Sequence, residues 1–180
     1  VPCTTMRLWS EERKTGSIEL LLTLPITVPQ AVLGKFFAAW IFLGIALLLT
    51  FPMPLTVCWL GEPDIGLIVM GYLGTFLMAG GYLAVGSFFS AITKNQVISF
   101  ILAVVACAIL MYIGMPSTLD FLASFLPLGL VQAVENMSIQ AHFESIQKGV
   151  LEAKDILYYV ILMVGWIAAG MIILEERKAA

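Results

Sequence analysis

The chain has 180 residues, of which 61% are hydrophobic and 12% are charged, with a formal net charge of -3. Its mean hydropathy is +1.00. Nine Lys and Arg and twelve Asp and Glu are too few to cover a water-facing globule of this size, so the composition excludes a soluble enzyme and predicts a membrane protein. The small net charge, without a basic stripe, also excludes nucleic-acid binding.

A short charged segment occupies residues 1–32, before the first apolar run. Ser10 is suited to cap a helix, with Glu11 and Glu12 at the positive end of its dipole. After Gly16 an apolar face at helical spacing runs as far as Pro25, formed by Ile18, Leu21 and Leu22. The pattern predicts two short helices at the membrane surface. From the residues alone they are either an interfacial anchor or a docking surface.

Four apolar runs are long enough to cross a hydrocarbon core of roughly 30 Å at about 1.5 Å per residue. They cover residues 33–60, 65–92, 97–115 and 156–174. Pro52 and Pro54 should kink or end the regular helix of the first run. We therefore predict an all-α fold, a polytopic transmembrane helical bundle with four spans.

The connection of residues 116–155 is predicted to be extracytoplasmic. Within it, Leu119–Val134 is apolar but contains Asp120 and Pro127, and it is too short for an easy crossing, so it predicts a re-entrant or interfacial element. A surface amphipathic helix should follow, because apolar residues recur every three or four positions at Ile139, Phe143, Ile146 and Val150.

Basic residues set the predicted orientation, because cytoplasmic loops carry the excess of Lys and Arg. The side opposite the 116–155 connection holds Arg7, Arg13, Lys14, Lys35, Lys94, Arg177 and Lys178. The other side holds Lys148 and Lys154. The start of the chain, the turn at residues 93–96 and the C-terminus are therefore predicted to be cytoplasmic.

The predicted spans carry no ionisable residue near the bilayer centre, which argues against a proton-coupled carrier, an intramembrane protease or a voltage sensor. The energy source is therefore expected elsewhere. Gly81 and Gly86 have the separation of a phosphate-binding loop, but the lysine is absent. We therefore expect no catalytic residue and no cofactor in this chain.

A metal site is also not expected, because one histidine and the distant Cys3, Cys58 and Cys107 lack ligand spacing. His142 and Glu144 are close in sequence, but they point to opposite sides of a helix, which disfavours a metal or acid–base pair.

The second predicted span is rich in small residues, which let helices approach closely. The relevant positions are Gly80, Gly81, Ala84 and Gly86. Two interpretations stay open: a crowded central helix, or a helix that slides between two transport states.

The chain resembles the permease subunits of type-2 ABC transporters, particularly the gliding-motility-associated and multicopper-enzyme-maturation group. Three segments carry the resemblance: MRLWSEERKTGSIELLLTLPIT at residues 6–27 followed by Gly34 and Lys35, YLAVGSFFSAITKNQ at 82–96, and FESIQKGVLEAKDILYY at 143–159. In that family the first segment is the coupling element on which the ATPase subunit docks. The coupling residues implied here are Glu11, Glu12, Arg13, Lys14, Gly16, Glu19 and Leu22.

The resemblance also implies the assembly and the place of this chain within it. The ATPase would be a separate ATP-binding subunit that holds ATP and Mg, and a second permease copy or related permease would pair with this chain in the bacterial inner membrane, surrounded by lipid. The four spans would match the last four of a six-span subunit, so we expect a fragment without the first two spans. Residues 116–155 would form a re-entrant extracytoplasmic gate.

Two functional hypotheses follow. The first is a permease that moves an unknown substrate by alternating access, powered by the ATPase subunit. The alternative is a non-transporting membrane scaffold that anchors an ATPase for motility or protein maturation. An intramembrane enzyme is disfavoured, because the spans offer no acid, base or nucleophile beyond Ser and Thr.

Overall fold

The computed structural model describes residues 1–15, 27–125, 127–149 and 152–179, and every regular element within them is an α-helix. Two short helices come first, α1 (Pro2–Thr5) and α2 (Ser10–Thr15). The long helices are α3 (Val28–Leu49), α5 (Ile65–Ile92), α6 (Gln96–Tyr112) and α10 (Ala153–Ala179). Shorter helices complete the fold: α4 (Pro52–Leu60), α7 (Pro116–Ala123), α8 (Leu128–Asn136) and α9 (Ile139–Gln147). The predicted all-α helical bundle is confirmed.

Helix α5 is the centre of the bundle, with α3, α6, α9 and α10 packed around it. Its 28 residues correspond to about 42 Å of helix. It begins where Asp64 caps it, since the Asp64 carboxylate accepts a hydrogen bond of 2.8 Å from the Gly66 N–H. Leu83, Ala84 and Val85 in its second half are fully buried, and they place the core at that level of the bundle.

Helix α3 begins at Val28, five residues before the predicted start at Leu33. The earlier start has a local cause: Pro29 occupies the first turn, and the Thr27 N–H donates to the Gln30 side chain at 3.2 Å. Regular helix stops just before Pro52, as the prolines predict, and resumes as α4. None of the side chains of α4 is buried.

Helix α6 is shorter than the predicted span of residues 97–115. It starts behind an Asn95 cap, whose side chain accepts from the Val97 N–H at 3.0 Å, and ends at Tyr112. The chain then bends by 70° into α7, which Pro116 begins. Because 17 residues span only about 26 Å, α6 and α7 together form either a broken span or a re-entrant loop.

The predicted element Leu119–Val134 is divided into two helices. Helix α7 ends at Ala123, and α8 begins after Pro127, because proline cannot continue the hydrogen-bonded ladder of a preceding helix. Helix α9 occupies the position of the predicted surface amphipathic helix, but its Ile139 and Ile146 are fully buried in the core of the bundle. Val150 lies outside the described residues.

Among the residues that the structure describes, three helical stretches are long and apolar enough to cross a membrane: Val28–Leu60, Ile65–Ile92 and Ala153–Glu176. The bent pair α6 and α7 is a fourth candidate. Many large apolar side chains on these stretches point away from the bundle, and Trp59 is 94% exposed. An apolar outer surface of this extent fits a protein whose solvent is lipid.

Candidate functional site

The N-terminal segment, residues 1–15, is attached to the end of α5 through Ser90. The backbone N–H groups of Trp9 and Ser10 both donate to the Ser90 hydroxyl oxygen, at 3.1 and 3.2 Å. Ser10 and Ser90 are fully buried, and Trp9 is nearly so. A single hydroxyl therefore satisfies two buried N–H groups, each of which would be costly to leave unpaired.

Lys35 of α3 makes three further contacts with the N-terminal segment. Its ammonium group donates to the Leu8 carbonyl at 2.9 Å, forms an ion pair with Glu12 and lies 4.0 Å from the centre of the Trp9 ring. The side chains of Lys35 and Glu12 are only 21% and 30% exposed, so water screens the attraction less than at an open surface. These contacts hold α2 against the base of α3.

Helix α1 lies against α5 at Gly86, where the two helices approach closely. A methyl group at Gly86 would overlap the side chain of Thr5, which is itself fully buried. Glycine at this position therefore allows the N-terminal segment to pack directly on α5.

The structure gives positions for part of the predicted coupling set. Glu11 and Lys14 are exposed on α2, and Glu12 faces Lys35. The side chain of Arg13 lies outside what the structure describes, as do Gly16, Glu19 and Leu22 with residues 16–26. Ser10 differs from its predicted role, because it is the first residue inside α2 and its hydroxyl donates to the Met6 carbonyl.

The small residues of α5 lie at its helix contacts. A methyl group at Gly80 would come within 2.7 Å of the Met163 sulfur and 2.9 Å of Trp40 Nε1, and one at Gly81 within 3.1 Å of Leu162. Ala84 is fully buried. These positions set the close approach of α3 and α10 to α5.

Sequence reasoning missed Lys35 and Ser90 as parts of this site. Lys35 carried a usable signal, because it is the only charge in the run of residues 33–60, and such a charge needs a partner. Ser90 carried no such sequence signal, since its role depends on contacts with residues 80 and 81 positions away along the chain.

A second polar cluster lies at the other end of α5, where α9 packs. His142 Nδ1 is 2.6 Å from a carboxylate oxygen of Asp155, which is fully buried. Glu144 does not join His142; it accepts a hydrogen bond from Gln140 at 3.3 Å. The sequence placed Asp155 only at the boundary of the last span, so its pairing with His142 was missed.

A cleft of about 560 Å³ lies beside this cluster, between α7, α8 and α9. Charged residues line it: Asp120, Glu135, Glu144, Lys148 and Glu152. Across residues 1–15, 27–125, 127–149 and 152–179, no three His, Cys, Asp or Glu side chains are placed to hold a metal ion.

Comparison with models of known protein families identifies the family of this chain. The model of the ABC-2 family transporter protein matches residues 3–179, nearly the whole chain. The chain belongs to the ABC-2 family of transporter proteins. It is thus a membrane permease subunit of an ABC transporter and a multi-pass membrane protein, from a family whose members work with a separate ATP-binding subunit. No curated protein and no solved structure matches this ABC-2 permease.

Proposed function

We propose that this ABC-2 permease moves its substrate by alternating access, driven by an ATPase subunit that docks on residues 1–32. The observation that carries the proposal is the attachment of residues 1–15 to two long helices at once. Ser90 links the segment to α5, and Lys35 links it to α3. A displacement of the docked segment would therefore move both helices rather than a loose tail.

The predicted coupling residues supply the docking surface in this proposal. Glu11 and Lys14 are exposed on α2, and we assign Arg13, Gly16, Glu19 and Leu22 to the same docking surface. Glu12 instead pairs with Lys35, which gives it a transmitting role. ATP and Mg would be bound by the ATPase subunit, and the docking end would face the cytoplasm of a bacterial cell.

The packing of α5 supports re-packing between two states. Gly80, Gly81 and Gly86 bring α3, α10 and α1 into close contact, because α5 carries no side chain at these three points. Such surfaces can shift by small sliding movements. A second permease copy would complete the route, with the exposed apolar faces meeting it or lipid.

The test separates docking from transmission in proteoliposomes containing the permease and the ATPase subunit encoded beside it. Arg13→Ala with Glu19→Ala should reduce copurification of the ATPase at least about 10-fold, the effect of losing about 1.4 kcal/mol of binding. Lys35→Met should leave copurification intact but abolish the ATP-dependent change in thiol labelling of a cysteine placed at Ala141, at the far end of the bundle.

Lys94→Met is the matched control for Lys35→Met, because Lys94 is an exposed lysine at the same end of α5. It should behave like the unchanged protein. The proposal is wrong if the ATPase does not bind residues 1–32, or if ATP leaves the labelling of Ala141→Cys unchanged in the otherwise native permease. Movement of a solute or lipid with ATP would exclude a role as a passive scaffold.

A further inference from the structure

The first membrane-spanning stretch, Val28–Leu60, is interrupted at residues 50–54, between α3 and α4. Pro52 and Pro54 have no N–H group, and each therefore withholds a hydrogen bond from the carbonyl four residues before it. Three N–H groups donate instead to carbonyls three residues earlier, each at 3.0 Å: those of Thr50, Phe51 and Met53. A short run of such tightened bonds inside a long helix often marks a hinge.

Tyr72 of α5 contacts the chain at this break. Its hydroxyl oxygen lies 3.1 Å from the Thr50 carbonyl oxygen and 2.9 Å from Thr50 Oγ1. The Thr50 carbonyl is the group whose usual donor is missing at Pro54. Because a carbonyl oxygen can accept two hydrogen bonds, it can accept from Tyr72 as well as from Met53. A neighbouring helix thus replaces the hydrogen bond that the proline removes.

The Tyr72 proton goes to Thr50 in every arrangement that uses both hydroxyl protons. The Thr50 hydroxyl also lies 2.6 Å from the Leu47 carbonyl oxygen. When Thr50 donates to Leu47, the Tyr72 hydroxyl donates to the carbonyl or the hydroxyl oxygen of Thr50. When Thr50 donates to Tyr72, the Tyr72 hydroxyl donates to the Thr50 carbonyl. The contact between the two helices is kept in each case.

The break lies within the apolar part of the first span. Fifteen residues separate Thr50 from Lys35, the last charge before Glu62. This distance corresponds to about 22 Å of helix, less than the roughly 30 Å of a hydrocarbon core. Thr50 is exposed on the surface of the bundle, where lipid offers no hydrogen bond to a backbone group. Losing the Tyr72 hydroxyl would therefore cost more here than at a surface in water.

The contact also marks the level at which the first span leaves the bundle. On the Lys35 side of the break α3 is packed on α5, and a methyl group at Gly44 would come within 2.9 Å of the Phe76 ring. Beside the break lies a cavity of about 270 Å³, and a methyl group at Gly71, in its wall, would meet nothing within 4 Å. None of the side chains of α4 is buried. The Tyr72 hydroxyl thus bridges α3 and α5 where their close packing ends.

We propose that Tyr72 is a latch for the first span: its hydroxyl closes the hydrogen-bonding gap that Pro54 opens at Thr50, and it thereby fixes the angle between α3 and α4. While the latch is closed, α4 is held relative to α5 through Thr50. When the hydroxyl is displaced, α4 can change its direction while α3 keeps its packing on α5. The latch requires neither ATP nor an ATPase subunit, so it can fail independently of the proposed function.

A double-mutant comparison tests whether Tyr72 closes the gap. Tyr72→Phe removes only the hydroxyl, and the midpoint of thermal unfolding of the full chain in detergent should fall by about 2–4 °C, the effect of losing one hydrogen bond in a chain of this size. Pro54→Ala supplies an N–H group four residues after Thr50. In the Pro54→Ala background, Tyr72→Phe should therefore lower the midpoint by less than about half as much.

Tyr112→Phe is the matched control, because Tyr112 is an exposed tyrosine at the end of α6. It should leave the midpoint unchanged. An equal fall for Tyr72→Phe in both backgrounds, or no fall in the native background, would overturn the proposal.

Distances between two spin labels test whether the latch fixes α4. One label is attached to the native Cys58 of α4 and the other to Leu157→Cys of α10, both at exposed positions. The remaining cysteines are replaced by serine: Cys3 and Cys107. Tyr72→Phe should broaden the distance distribution or add a second maximum, whereas Tyr112→Phe should match the chain with both tyrosines. The same distribution with and without the Tyr72 hydroxyl would overturn the proposal.

Discussion

Gly80 lies where three helices meet, within reach of Met163 on α10 and Trp40 on α3. The Met163 side chain can move aside, but Trp40 is fixed more firmly. Its indole N–H donates to the Phe76 carbonyl at 3.0 Å, and its ring is stacked on that of Phe76 with 4.6 Å between centres. The space at Gly80 is therefore limited by the side chain of Trp40, which is held in place by its contacts with Phe76.

We predict that Gly80→Ala lowers the free energy of unfolding by about 1–3 kcal/mol, the usual cost of adding a methyl group to a well-packed interior. Gly71→Ala is the matched control in the same helix, because a methyl group there meets nothing within 4 Å. It should be neutral or stabilise by up to about 1 kcal/mol through helix propensity. Unfolding in detergent measures both variants, and equal effects would contradict this assignment of the space around Gly80.

Individual residues show which helix contacts could be predicted from the sequence. The concentration of glycine in residues 65–92 indicated close helix contacts, but it could not name Trp40, Met163 or Thr5 as the partners. Residue type determines the size of a side chain, whereas its contact partner depends on how helices that are distant in the sequence pack together. The same limit hid the pairing of His142 with Asp155, which lies 13 residues further along the chain.

Among the elements, the N-terminal segment is held to α5 by a small number of polar contacts. Ser90→Ala would leave the N–H groups of Trp9 and Ser10 buried without their acceptor, at a cost of about 1–3 kcal/mol. We predict that the segment then detaches about 5 to 150 times more often, because every 1.4 kcal/mol is about a factor of ten. Trypsin should cut at Arg7 or Lys14 faster by the same factor.

Ser87→Ala is the control for this experiment. Ser87 is also buried on α5, but its hydroxyl donates to the Ala84 carbonyl within the same helix, at 2.8 Å, and to no other described residue. Cleavage of this variant should match that of the unchanged chain. If Ser90→Ala and Ser87→Ala are cut at the same rate, the Ser90 hydroxyl does not hold the segment.

Helices with strong local signals were predicted best. The structure places α5 at residues 65–92, the predicted range, because Asp64 and the polar residues after Ile92 mark both ends of an apolar run. Residues 97–115 and 119–134 were predicted less well, since hydropathy does not report the bend before Pro116 or the break at Pro127. The contribution of Gly16, Glu19 and Leu22 to the docking surface stays a prediction.

For the whole molecule, the arrangement of basic residues predicts which end faces the cytoplasm. In a variant with Cys3, Cys58 and Cys107 replaced by serine, Lys94→Cys should react with an impermeant thiol reagent only after the membrane is opened. Glu62→Cys, in the exposed turn between α4 and α5, should react in intact cells. Labelling of position 94 from outside would reverse the proposed orientation.

The uninterrupted course of α5 has a mechanical consequence. This helix contacts the N-terminal segment at Ser90 and α9 at Gly74, and it contains no proline between these positions. An α-helix resists compression along its axis far better than a loop does, because each turn is hydrogen-bonded to the next. A force applied to α5 at one face of the bilayer would therefore move the whole helix as one stiff unit, and the other end would move with it without local refolding.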